Sequence, residues 1–82
     1  MKQRPYHVVG QRIRLARETR GISQHDFATQ LGIEQSHVWK WEAGLRRPCW
    51  ERLIEISRTL RVSLDFIMCG IRKHSGLPGT PN

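Results

Sequence analysis

The stretch from Ser23 to Gly44, SQHDFATQLGIEQSHVWKWEAG, limits the possible fold more than any other part of the chain. Two short runs of helix-forming residues meet at Gly32 with little between them. Ser23 suits the N-cap of the first run, and Asp26 stands three places on as the acidic half of a capping box. Ile22 and Phe27 hold the two positions that clasp across such a helix start. Gly32 supplies the left-handed backbone that ends one helix sharply and lets another begin. The chain must therefore turn a tight corner between two helices.

The second of these helices, about residues 34 to 42, has two faces. At roughly 100° per residue, Val38 and Trp41 point one way, while Gln35, Ser36, Trp39 and Lys40 point nearly opposite. The first face is expected to lock onto Phe27, Ala28 and Leu31 of the preceding helix. The opposite face gathers short polar groups, a cation and an exposed aromatic on a rigid support, which suits contact with another molecule. The corner itself has the geometry of a helix-turn-helix.

On these residues the chain resembles the DNA-binding domain of the phage repressor and Cro family, of lambda-repressor-like, XRE type. The matching residues are Arg17, Gly21-Ile22-Ser23-Gln24, Leu31-Gly32-Ile33, Gln35-Ser36, Val38, Lys40-Trp41-Glu42, Gly44 and Pro48. Val62-Ser63-Leu64-Asp65 matches the start of that family's last helix, so the likeness covers about residues 8 to 70. It implies an all-α fold of five helices with the helix-turn-helix at helices 2 and 3. It also implies that Arg17 pairs with Glu42, a structural tie that fixes the angle of the reading helix.

At 82 residues a single domain is expected. Fourteen Lys and Arg against seven acids leave a net charge of +7, and eleven of the fourteen are Arg. That excess either keeps a soluble domain dispersed or meets a polyanion, whose phosphates take bidentate bonds from guanidinium groups. Cys49 and Cys69 lack any metal-ligand spacing and read as reduced side chains. With no signal peptide or long apolar run, a cytoplasmic setting is expected, and no membrane contact. His7, His25, His37 and His74 are scattered, and neither a nucleophile–base set nor a phosphate-cradling glycine loop is present. An enzyme is therefore disfavoured, and no metal, cofactor or small-molecule ligand is expected.

Residues 1–7 read as a flexible arm, residues 8–70 as the DNA-binding domain and residues 71–82, rich in Gly and Pro, as a disordered tail. The first helix is expected over about Val8–Thr19, with Val9, Ile13, Ala16 and the stem of Arg20 inward. The resemblance implies a larger residue at Ala16, so Trp41 or Trp50 is expected to fill that space. Helix four, near Trp50–Leu60, is expected to bury Trp50, Leu53, Ile54, Ser57 and Leu60, and Cys49 is a weak cap for it. Ser63 caps a short fifth helix to Cys69, with Val62 against Ile67. Its surplus of apolar groups, Phe66, Ile67, Met68 and Ile71, suggests a pairing surface.

The mechanism implied is reading of double-stranded DNA. Gln35 is placed for a bidentate bond to adenine, Ser36 for weak contacts to several bases, and Lys40 for guanine or a nearby phosphate. Trp39 packs on a thymine methyl or merely shields its helix. Gln24 contacts the backbone and braces Gln35, as its family counterpart does, while His37, Arg46 and Arg47 are expected beside phosphates. Glu34, where the family often has Ser or Thr, suits the helix dipole but repels a close phosphate. One unit reads few base pairs, so a homodimer on a two-part operator is expected. Alternatives are an antitoxin that also binds a toxin protein, and the controller of a restriction-modification operon.

Overall fold

The computed structural model describes residues 5–69, and among these it contains five helices and no strand. They run α1 (Pro5–Thr19), α2 (Gln24–Leu31), α3 (Gln35–Glu42), α4 (Trp50–Leu60) and α5 (Leu64–Cys69). The expected tail, Ile71 within it, and the first four residues of the expected arm lie outside the described residues. α1 begins three residues before its expected start, so residues 5–7 are helical rather than part of an arm. Proline favours the first helical position: its φ is already set, and the N–H it lacks has no partner there.

Local chemistry places the ends of the helices. The Ser23 hydroxyl accepts from the Asp26 N–H at 3.0 Å and opens α2. Only this half of the expected capping box forms, since the exposed Asp26 carboxylate makes no return bond among the described residues. At the far end of α2, Gly32 has φ 74°, and the Ile33 N–H reaches back to the Ala28 carbonyl at 3.0 Å. That is the left-handed closure that turns the chain from α2 into α3 within three residues. Ser63 caps α5 through the Phe66 N–H at 3.0 Å. α3 and α4 begin at Glu34 and Cys49, neither of which gives a side-chain cap.

The core is Val9, Ile13 and Ala16 of α1, Phe27 and Ala28 of α2, Val38 and Trp41 of α3, Leu53, Ile56 and Leu60 of α4, and Ile67 of α5. α4 is rotated from the expected setting. Leu53 and Leu60 are buried as anticipated, but Ile56 is fully buried, Ile54 and Ser57 are half-buried, and Trp50 stands in solvent. The helix carries two overlapping apolar stripes, and Trp50, at its first position, has no neighbouring element above it. Of the two indoles expected beside Ala16, Trp50 is excluded by its exposure, while Trp41 is buried in the same core cluster as Ala16. Trp41 belongs to the core, and Ala16 lines an open cleft at the junction of α1, α4 and α5. Ile67 is also corrected: it is fully buried in the core and cannot belong to a pairing surface.

α1 is the spine on which the reading helix rests. It packs against α3, α5 and α4, and α2 packs on α3 and α4. The tightest approach is at Gly10, where a Cβ would stand 1.9 Å from the Trp41 carbonyl oxygen and 3.1 Å from the Glu42 Cα. Only a residue without a side chain lets the two backbones meet so closely. Arg12 ties α1 to the last turn of α5 by donating to the Ile67 carbonyl at 3.4 Å, and Arg20 donates to the Leu60 carbonyl at 2.6 Å.

Candidate nucleic-acid interface

α3 has one dry face and one wet face. Val38 is 0% exposed and Trp41 4%, both sealed against α1 and α2. Gln35, Ser36, His37 and Trp39 are exposed, Trp39 by 51%, and Lys40 is half-buried. The two inward side chains fix the rotation of the helix, and their neighbours then have nowhere to point but outward. Burying two such side chains contributes roughly 4 kcal/mol, enough to hold a helix too short to form alone.

A chain of polar bonds fixes the angle of α3. The Arg17 guanidinium, 8% exposed, donates to both carboxylate oxygens of Glu42, from Nε at 2.7 Å and from Nη2 at 3.0 Å. Its third bond, at 2.7 Å, goes to the Ile22 carbonyl just before α2. Gln24 Nε2 donates to the same Glu42 carboxylate at 3.0 Å, and Gln35 Nε2 donates to Gln24 Oε1 at 3.3 Å. The structural tie between Arg17 and Glu42 is thus present, and Gln24 stands against Gln35. The bond to Glu42 holds the Arg17 pKa above its usual value against the opposing effect of burial, with further support from the charges of Glu42 and Glu18. A raised pKa stabilises the fold below the usual guanidinium value, and that stability is lost only as pH climbs through the raised one. The Arg17 charge therefore persists at every ordinary pH.

Around this face the free charge is positive. Arg46 and Arg47 are exposed in the segment between α3 and α4, and among the described residues neither they nor Lys40 form an ion pair. The backbone leaves α3 through Ala43 and Gly44, whose φ of 78° lets the chain swing out past His7. Glu34, exposed at the N-cap of α3, puts an acid beside the start of the outward face.

Residues 13–67, all but the first turns of α1 and the end of α5, match the profile of the helix-turn-helix family. The chain belongs to the Cro/C1-type helix-turn-helix family. Relatives of this helix-turn-helix protein include an HTH-type transcriptional regulator from the SPbeta prophage of Bacillus subtilis, 36% identical over 61 residues, covering 74% of this chain and 56% of the relative. A regulator encoded in an ATPase region of Rhodospirillum rubrum is 30% identical over 73 residues, 84% of this chain and 68% of the relative. The chain spans about half the length of several of the curated relatives it matches. Among solved structures it is similar to the P22 c2 repressor in complex with a synthetic operator, at 28% identity and TM-score 0.74, covering 78% of this chain and 97% of that one. The restriction-modification controller C.AhdI of Aeromonas hydrophila gives 26% identity and TM-score 0.71, with 76% and 94% covered.

Two features of this helix-turn-helix protein are not evident from its sequence pattern. Gly10 sits mid-helix in α1, where a glycine is normally a cost, and that cost is a signal of close approach. The second is that Gln24 serves two partners at once, Glu42 and Gln35. No helix among the described residues is long and apolar enough to cross a membrane.

Proposed function

We propose that this chain is a sequence-specific, double-stranded-DNA-binding transcriptional regulator, a cytoplasmic repressor that acts by binding rather than catalysis. α3 lies in the major groove, and a homodimer occupies a two-part operator. The observation that carries the reading is the sealed Val38–Trp41 face, which leaves Gln35, Ser36 and Trp39 outward on a helix held at both ends. Gln35 bonds adenine edges, Lys40 guanine or a phosphate, Ser36 reads weakly, and Trp39 packs on a thymine methyl. Gln24, His37, Arg46 and Arg47 meet phosphates and set position. Phe66 and Met68, both half-buried on α5, contribute to the contact between copies.

Support comes from the relatives described as transcriptional regulators and from similar structures solved on DNA, the P22 c2 repressor and SinR, the latter 30% identical with TM-score 0.68. Likeness to the C.AhdI controller favours a second reading, in which the same DNA-binding act governs a restriction-modification operon. Selection of bound sites from a random duplex pool tests the proposal. A two-fold symmetric motif is expected; recovery of unrelated sequences with equal affinity would remove base reading from α3.

A further inference from the structure

Apart from the α3 face, one concavity stands out, a cleft of about 630 Å³ at the junction of α1, α4 and α5. Its lining takes nothing from α2 or α3, and its volume lies within the usual small-molecule range of about 300–1,000 Å³. The lining is mixed: Leu15, Ala16, Leu60, Val62 and Phe66 supply apolar surface, Thr19 and Ser63 hydroxyls, and Arg20 and Arg61 charge. Among the described residues no acidic side chain lines it. Neither guanidinium has an acidic partner among the described residues, and the nearby Glu18 is engaged by Arg14 at 3.0 Å.

Arg20 is held by a side-chain bond and Arg61 by its backbone setting, and both side chains reach solvent. Arg20 is anchored through Nε to the Leu60 carbonyl at 2.6 Å, which leaves its two terminal nitrogens for another acceptor. Arg61 closes α4 at φ 57°, the one described non-glycine residue with positive φ. Glycine would take that backbone without strain; Arg61 takes it to end α4, with the Val62 N–H bonding the Ser57 carbonyl at 3.0 Å. Two cationic side chains on a lining that is in part apolar suit a ligand with a carboxylate at one end and a hydrocarbon body at the other.

We propose that the α1/α4/α5 cleft is a binding site for a small amphiphilic carboxylate, its anion between Arg20 and Arg61 and its hydrocarbon along Leu15, Ala16 and Val62. The cleft shares Phe66 with the proposed contact between copies but no residue with the α3 face. The test is titration of the full chain with sodium decanoate below its micelle concentration, followed by amide NMR. The same titration is run with decyltrimethylammonium and with Arg61→Gly. Saturable shifts confined to α1's last turn and residues 60–66 are expected, absent with the cation and about tenfold weaker in the variant, the scale of one lost charge-assisted bond. Arg61→Gly relieves backbone strain, so a folded variant is assured by the same spectra. Equal binding of the cation, shifts scattered over the surface, no saturation, or unchanged affinity in Arg61→Gly would each overturn the proposal.

Discussion

Replacing Gly10 by alanine sets two effects of opposite sign against each other. In an exposed helix interior the change stabilises, by about 1 kcal/mol, because alanine is the better helix former. Here the new methyl would stand 1.9 Å from the Trp41 carbonyl oxygen, whereas ordinary contact begins near 3.4 Å, so α1 and α3 must part by about 1.5 Å. Both clashing groups belong to backbone, and no side-chain rotation can relieve them. Overpacking of this kind costs about 1–3 kcal/mol and more where nothing can yield. The separation also stretches the Arg17–Glu42 bonds, 2.7 and 3.0 Å long, between the same two helices. The steric term wins, and Gly10→Ala is expected to destabilise by roughly 2 kcal/mol net, a fall in Tm of about 10 °C for a domain of this size. Thermal and urea unfolding followed by circular dichroism measures it, with Gln11→Ala on the exposed side of α1 as the control. A Gly10→Ala protein as stable as the parent would show that α1 and α3 do not meet in this way.

Glu42→Ala leaves the Arg17 guanidinium buried without its counter-charge and should cost about 3–5 kcal/mol in urea unfolding, while joint replacement of Arg17 and Glu42 by Met and Leu should recover most of it. A double variant as unstable as Glu42→Ala would show that the pair contributes more than mutual neutralisation. Gln35→Ala should lose about 1–3 kcal/mol of discrimination at one base pair with random-sequence affinity kept, as measured by competition binding. Uniform loss on all sequences would make Gln35 a backbone contact. Arg46→Ala and Arg47→Ala should weaken all DNA alike and each lower the slope of log affinity against log salt by about one. Arg61→Gly should raise stability by about 1 kcal/mol, since it removes a left-handed side-chain clash.

The features legible in the amino-acid order are those that neighbouring residues decide. Ser23, Gly32 and Ser63 act within a turn of themselves, so the corner and the start of α5 follow from local chemistry alone. The outward setting of Gln35 and Ser36 is equally readable, because Val38 and Trp41 leave α3 a single apolar stripe. α4 offers two stripes, and its true rotation, with Ile56 in and Trp50 out, depends on which helices lie above it. Ile67 looks like surplus on a short helix, yet α1 and α4 converge on it. The Gly10 contact and the cleft beside Ala16 are products of distant segments meeting, and periodicity carries no record of them.

The bonds running from Arg17 through Glu42 and Gln24 to Gln35 hold α3 by its last and first residues together. Ser36 and Trp39 lie outside that tether, so they can be exchanged to retarget the protein toward new operators without altering how α3 is seated. Gln35 cannot be changed so freely, because its amide is also a fastening. An engineer seeking a new preference at its base pair should vary Gln24 and Gln35 as a couple.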